Sequence, residues 1–172
     1  QTLVNNLLAS SSIEAGQFSL YQQPTGLNQV LENALRMVQP LLERRRQTLI
    51  VGGTGLLPTL TADPARLTQV LANLLVNASK YSPAGKPIDV NLVQQPQTLR
   101  VSVADRGPGI PPAERESIFR RFVRREANNG EQYGVGLGLF VVKTTIEAHG
   151  GRVGVDERPG GGSIFWFELP LS

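Results

Sequence analysis

NLLVNASKYSP, residues 73–83, is the stretch on which the fold turns. Its apolar positions continue a row begun upstream. Leu67, Val70, Leu71, Leu74, Leu75 and Ala78 recur at threes and fours, the spacing of one buried helical face. Asn73 and Asn77 interrupt that pattern one turn apart, and Lys80 and Tyr81 follow them. Asn is a mediocre helix former and costs free energy to bury unless it is hydrogen-bonded. A polar row on such a helix therefore needs partners. Asp63-Pro64 supplies an N-cap and a first-turn proline, and Ser82-Pro83 a stop.

The neighbouring segments predict a layered α/β fold. Leu3, Val4, Leu7, Leu8 and Ile13 form a helix-like stripe stopped near Gly16. Leu27, Val30, Leu31, Ala34, Leu35, Val38, Leu41 and Leu42 predict a second helix, which Pro40 should kink or loosen. Residues 48–51 and 57–61 read as short strands around the turn GGTG. Ile88, Val90 and Leu92, then Leu99, Val101 and Val103, alternate on either side of QQPQ and predict a hairpin. DRGPGIPP (105–112) is a loop, 114–125 reads as a short helix, and EANNGEQY (126–133) as a mobile polar stretch. GVGLGL (134–139) opens a helix ending at His149 before Gly150-Gly151, and residues 153–156 and 163–169 close the chain as another hairpin. One mostly antiparallel sheet with helices on one face is the expected architecture.

Composition narrows the class. The 172 residues are 40% hydrophobic and 18% charged, typical of a globular domain with a real core. No apolar run approaches a membrane span. Cysteine is absent and His149 is the single histidine, which argues against disulfides and a zinc site. A net charge of +3 is too mild to indicate nucleic acid. The chain starts at Gln1 and its one methionine is Met37, so a fragment or processed product is expected.

Three clusters could carry chemistry. In GVGLGL, Gly134, Gly136 and Gly138 precede a helix, where exposed amides and the positive helix end suit phosphate. A dinucleotide fingerprint would need glycine where Leu139 stands. A P-loop would need Lys-Ser/Thr where Leu139-Phe140 stands. A purely structural glycine turn fits as well. Asp105-x-Gly107-x-Gly109 at a strand end could take an exocyclic amine and a flat ring, or be a simple turn. Asn73, Asn77, Lys80 and Tyr81 could offer amide oxygens for a phosphate-bound magnesium, a point charge and a ring, or could merely cap neighbouring backbone.

These clusters, in this order, resemble the ATP-binding catalytic domain of bacterial sensor histidine kinases, in the family shared with gyrase, mismatch-repair ATPases and anti-sigma serine kinases. NLLVNASKYSP resembles the family's N box, DRGPGI its first glycine box, IFRRF (118–122) its F box, and GVGLGL its second glycine box. GGGSIFWFELP (160–170) resembles its closing hairpin. The resemblance implies a two-layer Bergerat-type fold over residues 19–172, with 1–18 the remnant of a dimerisation-domain helix and its linker. It implies Asn77 as magnesium ligand, Lys80 at the phosphates, Tyr81 on adenine, and Asp105 accepting the adenine amino hydrogens. Gly107, Gly109 and Ile110 would shape the base pocket, with Phe122 and Ser163 near it. Gly134, Val135, Gly136, Leu137, Gly138 and Leu139 would line the triphosphate. Residues 111–133 would form a lid, with Arg124 towards the γ-phosphate. Arg106, where asparagine is common, is expected to face solvent.

Asn73 separates branches of that family. The gyrase-like ATPases carry a water-activating glutamate there, and an amide cannot be a general base at neutral pH. The resemblance thus implies Mg-ATP binding and transfer to a histidine, with Asn73, Lys80 and Arg124 as the catalytic set and ATP and Mg2+ as cofactors. Its partners would be the histidine-bearing dimerisation domain of a homodimeric parent and a response-regulator receiver domain. The fragment would be cytoplasmic and monomeric, touching neither nucleic acid nor membrane, whether or not the parent is membrane-anchored. His149 lacks the acidic neighbour of a phosphoacceptor and reads as a structural residue at a helix end, where the dipole favours a cation. An anti-sigma-type serine kinase and a non-catalytic nucleotide sensor are the alternatives.

Overall fold

The computed structural model describes residues 2–53, 55–124 and 136–171. Its helices are α1 (Thr2–Glu14), α2 (Leu27–Arg44), α3 (Pro64–Tyr81) and α4 (Gly138–Ala148). Its strands are β1 (Gln23–Thr25), β2 (Leu49–Gly52), β3 (Leu60–Ala62), β4 (Ile88–Gln94), β5 (Thr98–Ala104), β6 (Arg152–Glu157) and β7 (Ser163–Pro170). Five strands form one sheet in the order β2-β4-β5-β7-β6, antiparallel except for β2 beside β4. Period-two alternation turns Ile88, Val90 and Leu92, Leu99, Val101 and Val103, and Phe165, Phe167 and Leu169 into the core. Helices α2 and α3 cover that face with Val30, Ala34 and Val38 against Leu67, Leu71 and Leu75. Each fully buried Val, Leu, Ile or Phe side chain here contributes about 1.5–3 kcal/mol. The α/β expectation and both hairpins hold.

Two local expectations do not. The strands around GGTG do not pair with each other: β2 lies parallel to β4, and β3 pairs with β1 in a separate two-stranded sheet. Gln-Pro-Thr is too short, and its proline too poor a ladder donor, to announce β1. The stretch 114–125 is not one helix but two 3-10 turns, Pro112–Glu114 and Ser117–Phe119, because Ile118 and Phe119 turn into the core. Helix α2 runs through Pro40 without a break, its proline on the exposed side. Helix α1 forms and ends before Gly16 as expected, and it buries Asn6, Ala9 and Ser10 while Leu3, Val4, Leu7 and Leu8 are exposed. No helix among the described residues is long and apolar enough to cross a membrane.

Candidate functional site

Helix α3 sets the site because both its ends are fixed. At its start the Asp63 carboxylate accepts from Arg66 N at 3.0 Å and from Tyr21 N at 2.9 Å. The Asp63 N–H itself donates to His149 Nε2 at 2.9 Å, and His149 Nδ1 donates to the Thr145 carbonyl at 2.8 Å. His149 is therefore a buried acceptor joining α4 to α3, a structural role at the helix end as expected from the sequence. At the other end the Ser82 hydroxyl accepts from Arg106 N at 2.9 Å.

Between these ends Asn73 is 2% exposed. Its Nδ2 donates to the Gly138 carbonyl at 3.3 Å and to Asn6 Oδ1 at 3.0 Å. A carbonyl only accepts, so the amide can face that way in one orientation alone. Asn73 Oδ1 is left buried without a partner among the described residues. Such an orphan costs about 1–3 kcal/mol unless a ligand or water donates to it.

Asn73 and Asn77 share a cavity of about 330 Å³ with Lys80, Tyr81, Val123, Arg124, the 136–139 segment and the first turns of α1. Its described lining carries two cations and no acidic side chain. Burial of Lys80 disfavours its ammonium and lowers its pKa below the ordinary 10.5. Helix α4 starts without a side-chain cap, so its first amides and positive end have no built-in anion. The arrangement suits a polyanion. Two uncharged amide oxygens one turn apart also fit magnesium shared with phosphates, which needs few protein ligands.

A second cluster adjoins the cavity through Tyr81. Asp105, 2% exposed at the end of β5, accepts at Oδ1 from Gly107 N at 2.9 Å and Ser163 N at 3.1 Å. A Cβ on Gly107 would stand 2.7 Å from the Tyr81 carbonyl, so only glycine permits this approach. Gly109 has φ +78°, and Ile110 packs half-buried against the core. The structure thus places Asn73, Asn77, Lys80, Tyr81, Arg124, Gly136, Leu137, Gly138 and Leu139 around one cavity, with Asp105, Gly107 and Ser163 against its Tyr81 end.

It does not bring Phe122 in. That ring is 54% exposed on a backbone of φ +62°, a strained conformation for an aromatic residue, and its N–H donates to the Gly136 carbonyl at 2.9 Å. Gly134, Val135 and residues 125–133 of the expected lid lie outside the described residues. Arg106 does not face solvent: it meets Asp89 at 3.1 Å and donates to the Pro87 carbonyl. Sequence reasoning missed Thr2, Leu3 and Asn6 as lining residues. The polar pair Asn5-Asn6 inside a Leu/Val run was the available signal.

Residues 62–172 match the family described as histidine kinase-, DNA gyrase B-, and HSP90-like ATPase. Over 170 residues, 98% of this chain and 44% of the relative, it is 35% identical to the adaptive-response sensory kinase SasA of Synechocystis sp.. It is 34% identical to the sensor protein KdpD of Escherichia coli, covering 98% of this chain and 18% of KdpD. Among solved structures, full-length ShkA in complex with AMPPNP superposes with a TM-score of 0.83 at 34% identity, over 98% of this chain and 35% of ShkA. The mycobacterial sensor histidine kinase MprB gives 0.73 at 30%, over 87% and 97%. The chain spans less than half the length of these two curated relatives.

Proposed function

The chain belongs to the histidine kinase-, DNA gyrase B-, and HSP90-like ATPase family, and from that premise we propose that it is the ATP-binding part of a sensor histidine kinase. It binds Mg-ATP and donates the γ-phosphoryl group to a histidine on a dimerisation domain. The observation that carries this reading is one cavity enclosed by Asn73, Asn77, Lys80, Arg124 and the uncapped start of α4, free of acidic lining among the described residues.

Each residue has a part. The Asp105 carboxylate, oriented by the Gly107 and Ser163 amides, accepts the adenine amino hydrogens. Tyr81, Gly107, Gly109 and Ile110 enclose the ring. Lys80 and Arg124 neutralise phosphate charge, helped by the backbone amides of residues 136–139. Asn77 Oδ1 would hold magnesium, which when bound would offset charge developing on the phosphate oxygens. Asn73, being an amide, takes no proton from water at neutral pH, so hydrolysis is slow beside transfer to a neutral imidazole. One P–O bond to ADP breaks as one P–N bond forms, and the site contributes positioning and charge neutralisation.

The acceptor histidine sits on the dimerisation domain of the same, longer protein, whose second helix ends within residues 1–18. The phosphoryl group then passes to an aspartate on a response-regulator receiver domain in the cytoplasm. The first test is calorimetric titration with a non-hydrolysable ATP analogue, with and without magnesium, on this chain and on Asp105→Ala. Magnesium-dependent binding lost in the variant is expected. A folded wild-type chain that binds nothing would sink the reading.

A further inference from the structure

Helix α1 is inserted the wrong way round for a helix that merely covers a core. Its Val4, Leu7 and Leu8 face outward and Leu3 is half exposed at the cavity, while Asn6 and Ser10 are buried against the domain. Burying polar side chains and exposing apolar ones is unfavourable unless the polar groups find partners. Asn6 finds two. Its Oδ1 accepts from Asn73 Nδ2 at 3.0 Å and from Gln69 Nε2 at 3.3 Å. Glu14, at the far end of the same helix, pairs with Arg121 just after the second 3-10 turn. The helix is therefore held to the domain at both ends by polar contacts, and its first turns line the cavity.

The direction of the Asn6 contact matters. The Gly138 carbonyl and Asn6 Oδ1 together hold both hydrogens of the Asn73 amide. Asn73 Oδ1 is then the one atom of that side chain still seeking a donor. Without Asn6, one restraint on this rotamer is gone and the amide hydrogen it leaves is itself unpaired.

We infer that Asn6 is a positioning residue of the nucleotide site, fixing the Asn73 amide so that its oxygen is presented to what the cavity binds, and that α1 is a working wall of that site. The inference rests on the nucleotide reading above. Asn6 touches neither nucleotide nor metal in this scheme; it acts through Asn73.

The test is a double-mutant cycle on the whole 172-residue chain. Wild type, Asn6→Ala, Asn73→Ala and the double variant are titrated with the non-hydrolysable ATP analogue, with and without magnesium, and each is melted to verify folding. Alanine suits a helix, so Asn6→Ala should fold. It should weaken magnesium-dependent binding by about tenfold, the worth of one buried hydrogen bond. In the Asn73→Ala background the same change should cost little further affinity, because its effect runs through the missing amide. A lower melting temperature with unchanged affinity would make Asn6 a packing residue only and overturn the inference. So would two fully additive losses, or tighter binding by Asn6→Ala, which would mark α1 as an obstruction. If the wild type binds no nucleotide, the functional reading falls first and this one with it.

Discussion

A half-buried lysine is an unfavourable cation, and Lys80 shows what such a residue is suited to. Burial lowers its pKa, so between that value and 10.5 the folded chain binds fewer protons than the unfolded one. The burden that Lys80 places on stability is complete below its folded pKa and fades as pH climbs towards 10.5. A phosphate arriving beside it reverses the shift by favouring the ammonium. Nucleotide binding at alkaline pH should therefore take up protons, and affinity should fall as pH rises through the lysine's own pKa. Titrating the ATP analogue in buffers of different ionisation enthalpy reads the uptake, which Lys80→Gln should remove. Binding without proton uptake would place the phosphates elsewhere. At this scale the sequence was informative where the signal is local: Asn73, Asn77 and Lys80 stand out as polar positions in a buried period. The partner of Asn73 did not stand out, because Asn6 lies 67 residues away and nothing in either segment encodes their meeting.

Elements were legible where their pairing is local. Both hairpins and the ends of α3 follow from alternation and caps a few residues apart. The parallel β2–β4 neighbours were not, since they are joined by a crossover through β3 and α3. Nor were the 3-10 turns, where burying Ile118 and Phe119 overrides residues that favour a longer helix. Helix α2 continues through Pro40, and that continuity has a physical reason. The carbonyl four residues back belongs to Arg36, whose side chain is 72% exposed, so water can take the place of the missing N–H. Water only partly replaces the bond. Pro40→Ala should raise stability by about 1–3 kcal/mol, read from the denaturant midpoint at unchanged slope. A loss of stability would instead mean that the proline ring packs usefully on its neighbours.

On the scale of the whole molecule, one face of the sheet is closed by helices and the other by charge. On that second face Trp166 lies flat over Gly154, where a Cβ would stand 2.3 Å from the ring, and the Arg100 guanidinium stacks on it at 4.1 Å. Glu168, 2% exposed, is gripped between Arg152 at 2.5 Å and Arg100 at 2.6 Å. One carboxylate thereby clamps β5, β7 and β6. The Arg152 hydrogen bond holds its pKa below the ordinary 4.5, with Arg100 assisting and burial opposing. A depressed carboxylate pKa contributes stability that is whole above the unfolded value and is lost as pH falls through the folded one. Glu168→Gln should thus cost about 1–2 kcal/mol at neutral pH, towards the lower end for charge-assisted bonds because Arg152 is 72% exposed to water. The gap between variant and wild type should close as pH drops below 4.5. Urea unfolding across an acid series measures it. A gap independent of pH would mean that Glu168 contributes through packing, and that the open side of the sheet is held by Trp166 and the strand ladders alone.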